Sequence, residues 1–482
     1  MLHIDLDKTP KHSPYYLQIL EQIRTLIILG RLLPGKRLPP SRQLAKELGV
    51  ARRTVVSAYE ELCEQGYCTS KVGCGTTVSQ IPELIQKDKN DNTYGFPKWL
   101  LTDTNYTCHS GDWDTDKICF IPSLSHVKYL PMKKMRQAIN QTIIQSIPDV
   151  LGHYARNNGD PELIQALCQQ VLPTRGIQAM PSQILITNGS QHSSSILSML
   201  ISPCGGTISY GVPGYLAIPQ NFIMRGMTGV ACPVDSEGIL LTEAAYASRI
   251  HYVMPEHHFP QGMTLSPERR SALLQLAEEH DALIIEDDYD SEFYYERHPL
   301  PALKDGDLGG RVIYLGTFSK VLFNSLRLGY IVAHPEIIRR LVDIRWQLDG
   351  GTSLILQRWI AQLIISGAVE RHLRRMRIRY RKRRDLIALY LQELFPEWSW
   401  QLPRGGMQFW IELPEGQSAE TILDLAAERG VGLWSGANFR EPNACEPNVT
   451  AENHHLILGY GAIDEFEIHT AFDRLRDLQQ HI

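Results

Sequence analysis

The sequence predicts two folded parts: a small helical module closed by a hairpin, then a larger α/β body on a mostly parallel sheet with a smaller α+β lobe. Three observations carry this. Apolar residues recur at helical spacing through the first 66 residues, with glycines where each run stops. From residue 184, short β-branched runs alternate with longer helical stretches. Between the two, residues 81–110 lose periodicity, and Gln86-Lys87-Asp88-Lys89-Asn90-Asp91-Asn92 is polar and turn-rich, as a linker is. The expected boundaries are a module over 1–80, a linker over 81–110 and a body over 111–482. Within the body a large lobe spans about 150–340, and the smaller lobe takes 111–149 with 341–482.

Composition narrows the class. The 482 residues are 43% hydrophobic, which suits packed cores and argues against a wholly disordered chain. No apolar run approaches the ~20 residues that span a bilayer, and Met1–Pro10 lacks the apolar core of a signal peptide, so a cytoplasmic location is expected. Nine cysteines without a Cys-x-x-Cys pair supply neither a disulfide framework nor a zinc ligand set. Charge is divided unevenly: residues 1–80 hold 11 Lys/Arg against 7 Asp/Glu, a balance of +4, and the remainder has a balance of −9. A basic end on an acidic body is expected where only that end meets a polyanion.

In the module, Tyr16, Leu20, Ile23 and Ile27 mark a first helix after Pro14, stopped by Gly30. Ser41 is the expected N-cap of a second helix through Leu44, Ala45 and Leu48, ended by Gly49. A third carries Val55, Tyr59 and Leu62 on one face and ends at Gly66. The last two, joined by a tight glycine turn, form a helix-turn-helix, and Tyr67–Thr69 with Thr76–Val78 can pair around Gly73–Gly75 as a wing. The runs Leu38-Pro39-Pro40-Ser41-Arg42, Leu48-Gly49-Val50-Ala51-Arg52-Arg53-Thr54-Val55, Tyr59-Glu60-Glu61-Leu62, Gly66-Tyr67 and Gly73-Cys74-Gly75-Thr76 resemble the winged helix-turn-helix of GntR-superfamily regulators over residues 12–78. That resemblance implies operator DNA as a partner. Arg52, Arg53 and Thr54 open the helix whose N-terminus meets base edges, Arg42 is positioned for phosphate, and Lys71 and Gly73 sit at the wing tip.

In the body, Ile184-Leu185-Ile186, His251-Tyr252-Val253-Met254, Leu283-Ile284-Ile285 and Val312-Ile313-Tyr314-Leu315 read as buried parallel strands. Asp287-Asp288-Tyr289 ends one of them. Thr317-Phe318-Ser319-Lys320 follows, with Lys320 33 residues beyond Asp287, and then Arg327. A lysine after a small hydroxyl-bearing loop, downstream of an acid at a strand end, is what pyridoxal 5'-phosphate (PLP) requires. Lys320 would form the Schiff base, Asp287 would hold the pyridine nitrogen protonated, and Tyr289 would donate to the ring hydroxyl. Thr317 and Arg327 would bind phosphate, helped by Ser190 and Gln191 at a helix start after Asn188-Gly189, and Tyr215 would stack on the ring.

Together and in this order these residues resemble fold-type-I PLP-dependent aminotransferases along residues 111–482. The resemblance extends to Tyr154, which in that family reaches the phosphate of the neighbouring subunit, and so implies a homodimer. The two ends combined resemble MocR/GabR-type transcriptional regulators. This implies a PLP-dependent regulator that senses PLP itself or an amine or amino-acid effector. The alternative is an active aminotransferase with a fused DNA-binding domain.

Two departures favour sensing, with at most a residual half-reaction. The family's Asn-Pro-x-Gly loop is Phe259-Pro260-Gln261-Gly262 here, and the arginine that clamps a substrate carboxylate is replaced by Ile457. Arg440 and Arg225 are the candidate substitutes. The stretch Arg371–Arg384 reads either as a helix with a solvated basic face or as a second phosphate track. His257-His258 and His454-His455 read as ordinary loop histidines without metal-ligand spacing.

Overall fold

The computed structural model describes residues 4–6, 13–71, 75–80, 117–151, 158–439 and 454–478. They fall into two compact units, Met1–Gly111 and Asp112–Ile482. The first contains α1 (Tyr15–Ile28), α2 (Ser41–Leu48), α3 (Arg52–Glu64) and an antiparallel hairpin of β1 (Cys68–Lys71) and β2 (Gly75–Val78). Most of the helical stripe read from the sequence is its core, with Ile19, Leu20, Ile23, Leu44, Val55, Ala58 and Leu62 buried together, whereas Tyr16 is exposed. Gly49 takes φ +67° and its N–H closes on Ala45 O, so α2 stops and α3 begins three residues later. Ser41 is not the N-cap. Pro40 holds that position in an extended conformation, Ser41 is the first helical residue, and its Oγ accepts from Arg52 Nε at 3.4 Å. Gly73 lies outside the described residues.

In the second unit β3 (Ile118–Cys119) precedes an eight-stranded sheet of β4 (Ile184–Thr187), β5 (Thr207–Val212), β6 (Thr228–Asp235), β7 (Gly238–Ile239), β8 (Ile250–Val253), β9 (Leu283–Asp288), β10 (Val312–Thr317) and β11 (Gly329–Val332). Its order is β4-β11-β10-β9-β8-β5-β6-β7. Pairing is parallel from β6 through β5, β8 and β9 to β10, whereas β11 is antiparallel to both neighbours. Alternate residues feed opposite cores: Ile184, Ile186, Tyr314 and Tyr330 face one, and Leu185, Ile285, Ile313 and Ile331 the other. Burial on both faces explains the unbroken apolar runs.

The helices of this unit are α4 (Met132–Leu151), α5 (Pro161–Ala166), α6 (Ser190–Ile201), α7 (Ala217–Ile223), α8 (Glu243–Tyr246), α9 (Pro267–Glu279), α10 (Pro335–Asp349), α11 (Leu354–Ile365), α12 (Ala368–Leu394), α13 (Ala419–Glu428) and α14 (Glu465–Leu475). A second, antiparallel sheet has the order β12-β13-β16-β15, formed by β12 (Ser399–Trp400), β13 (Gln408–Glu412), β15 (Trp434–Ser435) and β16 (His455–Gly459). The short β14 (Val431–Gly432) pairs in parallel with β3.

The arginine-rich stretch lies in α12, and Leu373, Met376 and Tyr380 are buried at the expected spacing. Its basic face is only partly solvated. Arg383 is fully buried and donates to the carbonyls of Tyr460 and Gly461, and Arg384 donates to Pro403 O at 2.7 Å. Arg377 and Arg379 stack over the rings of Tyr294 and Tyr129 at 4.4 and 3.9 Å. These four cations secure the helix to the body.

Residues 120–125 run along the end of β16. Gly459 N donates to Phe120 O at 3.0 Å, and Phe120 N donates to Gly432 O at 2.8 Å. A Cβ at Gly459 would overlap the carbonyl of Ile121, and one at Gly461 the carbonyl of Leu124. Gly459→Ala is therefore expected to destabilise the protein by ~1–3 kcal/mol through overpacking against backbone. Thermal denaturation checks this, and an unchanged Tm would contradict the packing of this segment on β16.

Candidate cofactor pocket and nucleic-acid face

The parallel strands end on one side of the sheet, where open α/β folds bind ligands. Asp287 comes from the end of β9, Thr317 and Lys320 from the end of β10, Ser190 and Gln191 from the turn after β4, and Tyr215 from the turn after β5. These residues, with Tyr289 and Arg327, line one cavity of about 330 Å³. Tyr154 lies outside the described residues.

The geometry fits a phosphorylated pyridine aldehyde. Asp287 is buried. Its Oδ2 accepts from Tyr252 Oη at 2.8 Å, and its Oδ1 has no hydrogen-bond partner. Burial pushes this carboxyl up to about 7, against the stabilising donation from Tyr252. A buried carboxylate oxygen without a protein partner is poised for a cationic N–H such as a pyridinium. Lys320 Nζ donates to Ser123 O at 2.5 Å, and burial draws the amine down to about 8 although Asp290 and Asp287 favour its charge. An amine that gives up its proton more readily than an ordinary lysine is the better nucleophile toward an aldehyde.

At the other end, Gly189 takes φ +90° before α6, and a Cβ there would come within 3.2 Å of Arg327 Nη2. Arg327 itself holds φ +47°, a left-handed conformation that non-glycine residues rarely adopt. The guanidinium thus lies over a glycine at a helix N-terminus, an arrangement suited to a phosphate dianion. Tyr215 Oη accepts from Gln191 Nε2 at 3.0 Å, and Ser319 N donates to Thr317 Oγ1 at 3.2 Å.

Ile121, Pro122, Ser123, Met254, Trp434 and Phe439 also line the cavity and were not read from the sequence. They arrive from segments far along the chain and carry no local motif. Phe259, where the family has asparagine, meets Tyr215, Tyr289 and Phe439 edge-on, with centroids 6.1, 6.3 and 4.8 Å away. Ile457 is fully buried in β16, opposite Trp410 and Trp434, so an apolar sheet contact stands where the clamp would be. Arg225, in the turn after α7, donates to Asn221 O of that helix and does not line the cavity, and Arg440 lies outside the described residues.

Of the histidines read as loop residues, His455 lies in a strand instead, whereas His257 and His258 do lie in a loop and are buried there. Burial opposes charge on His257, but Asp290 Oδ1, 2.7 Å from its Nδ1, outweighs this and raises its pKa. His258 Nε2 lies 3.0 Å from Pro213 O, and burial lowers its pKa to about 4. His455 belongs to β16 and stacks on Trp410 at 4.7 Å.

In the first unit Arg52 and Arg53 are exposed at the start of α3, with Thr54 half-buried behind them. Arg42 is exposed in the first turn of α2, and Lys71 at the end of β1. Arg37, not singled out from the sequence, bridges to Thr77 and lies over Gly75, where a Cβ would come within 2.8 Å of its Nε.

Comparison with known proteins gives the same division. Residues 15–78 match the family of bacterial regulatory proteins, gntR family, and residues 123–453 match aminotransferase class I and II. The probable rhizopine catabolism regulatory protein MocR of Rhizobium meliloti is 31% identical, over 99% of this chain and 95% of its own. The pyridoxine biosynthesis transcriptional regulator PdxR of Corynebacterium glutamicum is 29% identical, over 93% and 92%. Among solved structures, the Pyrococcus horikoshii kynurenine aminotransferase, in complex with PMP, has a TM-score of 0.67 and 28% identity, covering 76% of this chain and 92% of that one. With a gntR-type DNA-binding region joined to a PLP-dependent fold-type-I aminotransferase domain, the chain belongs to the MocR-type family of transcriptional regulators.

Proposed function

We propose that this regulator acts as a cytoplasmic homodimer that reads operator DNA and whose body responds to PLP, or to an amine that exchanges onto it. The observation that carries the reading is the unpaired Asp287 oxygen in the same cavity as the lowered Lys320 amine. Bound PLP supplies an aldehyde for the lysine and a ring that withdraws electrons. Asp287 pairs with the ring nitrogen, Tyr289 donates to the ring hydroxyl and Tyr215 covers a ring face. Ser190, Gln191, Thr317 and Arg327 hold the phosphate, with Tyr154 contributed across the dimer.

Arg52, Arg53 and Thr54 meet base edges, while Arg42, Lys71 and Gly73 meet phosphate. The apolar Ile457 and Phe259 support PLP itself, or an amine without a carboxylate, as the signal: an α-carboxylate entering here would be desolvated without a guanidinium partner. That the similar PdxR is a pyridoxine biosynthesis regulator is consistent with that preference. The ligand acts by favouring one body conformation, and the shift it produces equals its differential affinity for the two states.

Titrating the purified protein with PLP is expected to give visible absorbance, a borohydride-trapped adduct on Lys320 and a change in operator affinity. Colourless protein without an adduct would sink the reading.

The Asp287 carboxyl titrates at about 7 when folded, against an unfolded value of ~3.9, so the folded state holds its proton more tightly and stability is lost as pH rises between those values. Asp287→Asn is thus expected to raise the Tm of PLP-free protein above about pH 8 while weakening PLP binding; a Tm difference independent of pH would refute this. Arg52→Ala is expected to cost ~1–3 kcal/mol on the preferred operator and less on random DNA. Equal losses in a binding assay would make it a phosphate contact.

A further inference from the structure

Residues 120–125 touch the pocket lysine twice. Lys320 Nζ donates to Ser123 O at 2.5 Å, and Ser125 Oγ donates to Lys320 O at 2.5 Å. Ser123 is buried and holds φ +54°, a left-handed conformation that a residue with a side chain keeps only where its surroundings impose it. Those surroundings are identifiable. Its Oγ donates to Gln408 Oε1 at 2.9 Å, and Gln408 Nε2 donates to Pro260 O at 2.9 Å, both within the protein interior. Gln408 is the first residue of β13, and the neighbouring Phe120 is hydrogen-bonded to Gly459 at the end of β16. One carbonyl therefore stands between the reactive nitrogen of the eight-stranded sheet and two strands of the four-stranded sheet.

We propose that Ser123 is the positioning residue through which the chemical state of Lys320 is relayed to the four-stranded sheet. The proposal rests on the reading of the cavity as a PLP site. As a free amine, Lys320 donates to Ser123 O and helps to hold the left-handed turn. When the amine condenses with the aldehyde, a C=N bond forms, the carbonyl oxygen leaves as water, and both hydrogens of the neutral amine leave with it. Nitrogen then has at most the one hydrogen it can regain by protonation, fixed in the plane of the new double bond. Ser123 O loses its donor, and a buried acceptor without a donor is costly. The turn shifts, and Gln408 carries the shift into β13. Such a two-position contact is the kind of element that couples ligand state to conformation.

The test measures operator affinity of the full chain by fluorescence anisotropy, with PLP uptake followed by visible absorbance. Wild type with and without PLP sets the reference response. Lys320→Ala without PLP removes the donor and is expected to shift affinity at least half-way, on a logarithmic scale, toward the PLP-loaded value. Lys320→Arg keeps N–H donors but cannot condense, and adding PLP is expected to leave its operator affinity where it was without PLP. Gln408→Ala cuts the onward link: PLP absorbance is expected to match wild type, while the operator response, typically ~5–150-fold for coupled sites, shrinks several-fold. Lys320→Ala at the PLP-free wild-type value, or Gln408→Ala with a full response, overturns the relay while leaving the PLP site intact. Wild type that takes up PLP without any operator response overturns the sensing reading, and the relay with it.

Discussion

A buried carboxylate at the end of a central strand organises the body. Four acids follow one another at and beyond the end of β9, and the interior answers each differently. Glu286 accepts from the backbone N–H groups of Leu303 and Lys304 at 2.8 and 2.9 Å. Asp288 is paired with Arg175 at 2.7 Å and accepts from Tyr314, and Asp290 is paired with His257. Of these four, only Asp287 has a fully buried oxygen without a partner. Leaving one buried acceptor open costs stability, and the cost is borne at the point where strand ends deliver a lysine, a helix N-terminus and an arginine. Satisfying the neighbours on this strand end makes the single omission specific. It leaves one charge for a ligand to complete rather than a general acidic patch.

The same economy governs the arginines. Arg175, Arg270, Arg383 and Arg384 are buried and committed to carbonyls or carboxylates of the protein itself. Arg327 is the guanidinium on the cavity wall, beside Gly189 at the start of α6. The rest of the lining includes the aromatic and aliphatic side chains of Trp434, Phe439, Phe259 and Ile121.

How much of this was legible follows from chain distance. Asp287, Lys320, Ser190 and Tyr215 sit in strand-to-turn motifs whose local pattern exists in the linear sequence, and they line one cavity. The four strands read as apolar runs are β4, β8, β9 and β10, whereas β11 begins with Gly329 and follows Arg327 so closely that it reads as loop. Ser123 meets Lys320 across 197 residues, and no spacing rule encodes that contact. Arginine density in α12 suggested a solvated face because sequence carries no information on which cations find aromatic rings or carbonyls. The partner of His257 was not legible for a related reason: Asp290 belongs to a different loop. Ser41 was misplaced by a single residue because Pro40 already supplies the extended geometry of a cap.

The module's core is assembled, among the described residues, from positions 4 to 78 alone. The body closes much later: Gly329 is the partner of Thr187 in the central sheet, and Gly459 at the end of β16 bonds back to Phe120. On a ribosome, domains fold as units in the order in which they emerge. The DNA-reading piece can thus reach its native shape while the strands that complete the cofactor cavity are still untranslated. Each newly made chain passes through an interval in which its DNA-binding module can be folded while its cofactor cavity is not yet built.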